Sequence, residues 1–272
     1  LLVTRGTSKN WDATATRDGD RMNLNNLIAK GKYNSVYRDG NLAIKLFNED
    51  YPKELVLNEA LITAKVERTG LHVPVIHEVT SIDGKWALVM DYVQGKTIGE
   101  MITKKPEKVD EYMNMFVDIQ MDIHAKDGSS LDSLQDKIYK RINDSDEIYK
   151  EVKYELLTRL DSAPKHKKLC HGDFSTTNVV IPDNGDKPYI IDWNHATYGN
   201  ASADAARSFL WITMYKPEAA EEYLDIFCSK TGTDKIYVKR WLPVVAASRL
   251  YYNIPEEKEL INRFIAEVSD EI

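Results

Sequence analysis

Cysteine is scarce: Cys170 and Cys228 are the only two in 272 residues, they lie far apart, and no CxxC or Cys/His cluster accompanies them. This excludes a disulfide framework and a thiolate zinc site, and leaves two reduced, buried thiols in a chain read as cytoplasmic. No apolar run approaches the roughly 18 residues of a membrane span. The opening LLVTRGTSKNWDATATRDGDR is too polar for a signal peptide, so no membrane partner is expected. Basic runs are missing as well. With 36 Lys and Arg against 43 Asp and Glu the formal charge is −7, and neither nucleic acid nor an anionic membrane finds the footprint it needs. No internal repeat or low-complexity segment occurs, and nothing in the sequence bears on oligomeric state.

Apolar residues, by contrast, make up 43% of the chain, enough for the core of one large domain or two small lobes. Residues 1–21 lack periodicity and read as a tail or extension; patterned sequence begins at Met22. From there the pattern predicts strands at LIAKG, SVYR, NLAIKLF, VPVIHEV and WALVMDYV, with a hairpin turn at Asp39-Gly40. One helix is inserted, with Pro52 in its first turn, Gly70 at its C-terminal cap and an apolar stripe of Leu57, Ala60, Leu61 and Ala64. After Gly95 the spacing turns helical through 106–126, 131–161, 202–230 and 234–270. A single strand-rich island, VVIPDNGDKPYIIDW, interrupts it, with a hairpin at Asn184-Gly185. The two parts meet near residues 91–95.

The chemistry concentrates in LCHGDFSTTNVVI and the PYIIDW that follows. Asp173, Asn178 and Asp192 fall on a loop and at the end of a short hairpin strand, positions from which side chains converge. Phosphoryl transfer needs a carboxylate to orient the attacking hydroxyl and accept its proton, and oxygen ligands for magnesium. Asp173 suits the first role; Asn178 and Asp192 suit the second. Two other readings compete: a pair of Asp-rich turns with solvated carboxylates, and a metal phosphohydrolase built on His171, Asp173 and Asp192, which lacks ligands for a second metal. Upstream, Lys45 sits in mid-strand in AIKLF, where an inward ammonium needs a partner, and Glu59 on the following helix is the natural one.

HGDFSTTN, with IDW arriving 14 residues after its Asn, resembles the motif of the aminoglycoside phosphotransferase and choline kinase superfamily, and the resemblance extends over roughly residues 24–270. It implies an α+β, bilobal protein-kinase-like fold. Residues 22–93 would form a nucleotide-binding lobe of about five antiparallel strands plus one helix. Residues 94–272 would form a mainly helical lobe carrying the catalytic loop and the substrate site. It further implies ATP, with GTP as an alternative, Mg2+, and a small-molecule hydroxyl substrate such as an aminoglycoside, amino-alcohol, sugar or nucleoside. Lys45 and Glu59 correspond to the pair that positions the α and β phosphates. GKYNSVY takes the place of the phosphate-covering loop, with Ser35 near the phosphates, although its one glycine equally suits a plain hairpin turn. VMDYVQG matches the hinge: the Asp91 carbonyl and Val93 amide would face the adenine beside Met90, unless Met90 and Val93 are ordinary core.

Asp204 is expected to cap a helix or to bond the catalytic loop, although Asn200-Ala201 departs from the Gly-Asp-Pro common in the family. His171 is expected to orient that loop, His124 to be structural, and His195 to be structural or to touch the substrate. Gly172 and Trp193 replace the Arg of HRD and the Phe of DFG. Only 11 residues separate Asp192 from Asp204, which leaves no room for a peptide-docking segment and favours a small-molecule acceptor over a protein. A regulatory pseudokinase would have to lose a catalytic group, yet Lys45, Glu59, Asp173, Asn178 and Asp192 are all present.

Overall fold

The computed structural model describes residues 22–269; the segment 1–21, read as a tail, lies outside them. Five strands, β1 (Leu27–Lys30), β2 (Asn34–Asp39), β3 (Leu42–Phe47), β4 (Ile76–Ile82) and β5 (Lys85–Asp91), pair antiparallel in the order β1-β2-β3-β5-β4. Gly40 (φ 58°) turns β2 into β3, and Asp83 and Gly84 (φ 49° and 81°) turn β4 into β5. These left-handed conformations match the twist of two-residue hairpins. The turn before β2 takes only residues 31–33, so Ser35, expected in a loop, lies within the strand.

Helix α1 (Lys53–Glu67) joins β3 to β4 with Pro52 at its N-cap rather than inside its first turn, while Gly70 (φ 78°) follows its end. Its rotation differs from the expected stripe. Val56, Glu59, Ile62, Thr63 and Val66 are buried, whereas Leu57 and Leu61 are 46% and 53% exposed and Ala64 is exposed. Turning Leu57 and Leu61 inward would carry Glu59 away from Lys45, and the buried ammonium decides the phase.

Past residues 92–94 come β6 (Gly95–Thr97), α2 (Ile98–Lys104), α3 (Val109–His124), α4 (Leu134–Asn143) and α5 (Lys150–Ser162). Then follow β7 (Lys168–Cys170), the hairpin β8 (Val179–Pro182) with β9 (Tyr189–Ile190), and β10 (Thr197–Gly199). The chain closes with α6 (Ala201–Tyr215), α7 (Pro217–Thr231), α8 (Lys235–Lys239), α9 (Leu242–Arg249) and α10 (Lys258–Ser269). The helical spans expected from periodicity are occupied, but each long one is broken. Pro217, Pro243 and Pro255 begin new helical segments, as expected of a residue with fixed φ and no amide hydrogen. The three-residue strands β6, β7 and β10, which add to the single expected island, are too short for an alternating pattern to register.

The main core lies in the helical part. Phe116, Phe174, Trp193, Leu210 and Tyr223 are fully buried there, and Ile62 and Val66 of α1 join the same cluster, which fastens the sheet's helix to the rest. Cys170 is buried and Cys228 only half-buried; both are free thiols. No helix among the described residues is long and apolar enough to cross a membrane.

Where the chain leaves the sheet, β6 runs against β8 so closely that a Cβ on Gly95 would stand 2.2 Å from the Ile181 carbonyl oxygen. Backbone cannot yield as a side-chain tip does. Gly95→Ala is therefore expected to destabilise the protein by about 1–3 kcal/mol, read as a lower urea midpoint; an unchanged midpoint would mean that the β6–β8 contact is loose.

Candidate active site

Lys45 lies on β3 opposite Val36 and is 7% exposed. Its Nζ donates to Glu59 Oε1 at 2.7 Å and to Asp192 Oδ1 at 3.1 Å, the latter 147 residues away in sequence. Burial alone would push the ammonium down; the Asp192 and Glu59 carboxylates outweigh it and hold Lys45 charged, above the ordinary lysine range. Ser35 does not join this group. It pairs with Leu46 while Val36 pairs with Lys45, and since directly opposed residues share a face, the Ser35 side chain points away from the Lys45 ammonium.

Asp192 follows β9 in the left-handed region (φ 63°), a conformation that Asp tolerates better than most residues. With Oδ1 on Lys45, Oδ2 is turned elsewhere. Asn178 precedes β8, and its carbonyl accepts from the Ile191 amide at 2.9 Å, which puts the two expected metal ligands on neighbouring backbone. Its Nδ2 donates to the Asp173 carbonyl at 2.9 Å, leaving Oδ1 directed away from that bond. At the end of β5, the Asp91 carboxylate accepts from the Val75 amide at 3.1 Å and meets His77 Nε2 at 2.7 Å. Met90 and Val93 are half-buried beside it, and the Val93 amide makes no backbone hydrogen bond among the described residues.

The loop carrying Asp173 is held by a buried carboxylate. Asp204, in the first turn of α6, accepts from the amides of His171 (3.1 Å) and Gly172 (2.8 Å) and meets His124 Nε2 at 2.9 Å. Asn200 caps the helix, so of the two roles expected of Asp204 the loop-holding one applies. The Asp173 amide donates to His171 Nδ1 at 3.2 Å, which places the His171 proton on Nε2, donated to the Ile191 carbonyl at 3.1 Å. His171 thus ties the loop to the strand before Asp192, and His124 is structural as expected. Gly172 (φ 77°) has no room for a side chain: a Cβ would lie 2.4 Å from the His195 carbonyl oxygen.

Sequence reasoning missed Arg207 and Trp211. With Asp204 they stand on one face of α6 at i, i+3 and i+7, and that spacing of polar side chains in an otherwise apolar helix was the available signal. Trp211 Nε1 donates to Asp173 Oδ1 at 2.5 Å, and an Arg207 terminal nitrogen lies 3.6 Å from the same oxygen. Asp173 Oδ2 is left free of both. His195 stacks edge-on with Tyr252, and burial, then the facing Lys137, hold its imidazole well below the usual range, so it is a neutral, structural residue.

A sheet-borne lysine paired with a helix glutamate and a post-hairpin aspartate stands next to a loop aspartate and an asparagine on a kinase-like bilobal fold. The model of the phosphotransferase enzyme family matches residues 26–237, and the chain belongs to that family. Hygromycin-B 4-O-kinase of Escherichia coli is 35% identical over 57 residues, a segment that spans 21% of this chain and 16% of that relative. Among solved structures, a thermostable mutant of aminoglycoside phosphotransferase APH(4)-Ia in ternary complex with ADP and hygromycin B aligns over 89% of this chain and 92% of its own, with TM-score 0.66 and 15% identity. A choline/ethanolamine kinase family protein from Mesorhizobium loti aligns over 95% and 91%, with TM-score 0.61 and 14% identity. These structural likenesses show the fold.

Burial would raise the Asp204 carboxyl, but the His124 hydrogen bond and the Gly172 amide outweigh it and hold the group below the usual carboxylate range. A lowered folded value means that its stabilisation is complete above the unfolded value, about pH 4, and is lost as pH falls through the folded one. Asp204→Ala leaves two buried amides and His124 without an acceptor, and should cost about 3–5 kcal/mol at neutral pH. Denaturant melts across pH should show that deficit shrinking on the acid side; a variant as stable as the parent at neutral pH would refute the loop-holding role.

Proposed function

We propose that the chain transfers the terminal phosphoryl group of ATP to a hydroxyl of a small molecule, with Asp173 as the base and magnesium held by Asn178 and Asp192. The observation that carries this reading is the run of contacts from Lys45 and Glu59 on the sheet side across to Asp192, and from the strand before Asp192 through Asn178 to the Asp173 loop. In the proposal, residues 22–93 hold the nucleotide and residues 94–272 the acceptor.

Each residue has a task that follows from its surroundings. Lys45, kept charged by its carboxylates, offers a cation to the α and β phosphates while Glu59 holds it in place. The Val93 amide and Asp91 carbonyl, beside Met90, offer the adenine edge a donor and an acceptor. Asn178 Oδ1 and Asp192 Oδ2 are two hard oxygen donors; this fits magnesium, which takes few protein ligands and completes its shell with phosphate and water. Magnesium bound there would neutralise the charge that builds on the phosphates. Trp211 and Arg207 fix Asp173 Oδ1, and Oδ2 takes the acceptor proton as the hydroxyl oxygen bonds to the γ phosphorus and the bridging oxygen leaves with ADP.

Asp173→Asn keeps the shape and loses the basicity. Turnover should fall about 10² to 10⁴-fold, measured on an acceptor found by screening nucleotide consumption against pooled sugars, polyols, amino-alcohols and aminoglycosides. ATP affinity by calorimetry should change little. Full turnover in the variant would remove the base, whereas collapse of ATP binding would make Asp173 a metal or structural residue.

A further inference from the structure

Next to Gly172, which precedes Asp173, basic side chains crowd a small cavity. Lys137 and Arg141 reach it from α4 and Arg207 from α6, and Gly172, His195 and Ser248 complete much of its wall. Their charges are poorly matched. Arg207 is 6% exposed, its Nε is buried without a hydrogen-bond partner, and its ion-pair contact is the 3.6 Å approach to Asp173. Lys137 Nζ donates to a neutral group, the His195 carbonyl, at 3.2 Å. Arg141 bonds the Tyr252 hydroxyl at 2.9 Å and lies over the rings of Tyr251 and Tyr252. Arg249 differs, because a two-point pair with Glu257 neutralises it.

Among the described residues no carboxylate forms an ion pair with Lys137 or Arg141, and Arg207 has only the long one to Asp173. Asp204, on the wall, is taken up by the His171 and Gly172 amides and His124. Burial first, then Arg141 and Arg207, outweigh Asp132 and Asp173 and push the Lys137 ammonium down to about 7. Arg207 is buried with its Nε unpaired, and Lys137 and Arg141, half-buried, rest on neutral oxygens; basic groups so placed gain when an anion joins them, and a guanidinium is suited to a carboxylate or phosphate. The link between Arg207 and Asp173 puts that demand within the length of one small molecule from the proposed base.

We propose that the acceptor is an anionic hydroxyl compound, a sugar or polyol bearing a carboxylate or phosphate, whose anionic group is held by Arg207, Lys137 and Arg141 while its hydroxyl meets Asp173. This rests on the phosphotransferase reading and narrows it: a polycationic aminoglycoside would meet like charge at this wall.

Gluconate, glucose and glucosamine share one skeleton and carry negative, no and positive charge; glycerol phosphate supplies the phosphate arm. Each is titrated calorimetrically into the full chain holding a non-hydrolysable ATP analogue with magnesium, then offered with ATP for turnover. Gluconate or glycerol phosphate should bind at least about tenfold more tightly than glucose, and glucosamine more weakly still. Whichever anion binds identifies the group that is read. Lys137→Gln and Arg141→Gln, checked for an intact thermal transition, should each weaken that anion about tenfold and leave glucose unaffected. Binding of neither anion, or glucose binding as tightly as they do, overturns the proposal. Phosphoryl transfer to glucose or glucosamine but to no anion overturns it while sparing the phosphotransferase reading. Anion binding that responds to both variants, without transfer from ATP to any acceptor, upholds the anion site and counts against that reading.

Discussion

A buried ammonium requires carboxylates within reach, and Lys45 obtains them from two distant parts of the chain. Glu59 comes from the helix packed on its own sheet; Asp192 comes from beyond the catalytic loop, across the cleft. Placing Lys45 inward thereby fixes the rotation of α1, even though Leu55, Leu57 and Leu61 are left exposed. It also draws the end of the β8–β9 hairpin against the sheet. Breaking the Lys45–Glu59 pair would leave a charge in low dielectric, where removing one partner costs several kcal/mol; the contact to Asp192, whose carboxylate is partly in solvent, is worth less. The cleft is thus built by the same pairings proposed to hold nucleotide and metal.

A second buried charge organises the other wall. Asp204 ties α3 and the Asp173 loop to its own helix, α6, by accepting from groups on both, and α6 in turn delivers Arg207 and Trp211 to Asp173. Gly172 is required because the loop passes against the His195 carbonyl in a left-handed conformation, which gives the replacement of the HRD arginine a local steric cause. The basic residues around the neighbouring cavity add a field of opposite sign to the chain's net charge. Overall charge is therefore a poor guide to local potential: an acidic protein can present a basic wall at one cavity.

The sequence determined a good deal. The five strands, the inserted helix, the Asp39-Gly40 and Asn184-Gly185 turns and the helical spans were legible because periodicity and turn chemistry are local. The family was legible because spacing along the chain survives without coordinates, and the model of the phosphotransferase enzyme family matches residues 26–237. The helix breaks at Pro217, Pro243 and Pro255 and the Asp83-Gly84 turn were also there to be read. What the tertiary structure decided are relations between distant residues. These are the phase of α1 set by a charge 14 residues upstream, the face of Ser35 set by strand register, the choice of Asp204 as loop anchor over helix cap, and the gathering of Lys137, Arg141 and Arg207 from two helices beside Asp173. Helix propensity and alternation say which residues can face inward, but electrostatic matching in a low-dielectric interior depends on separations in space, and those exist only once the chain has folded.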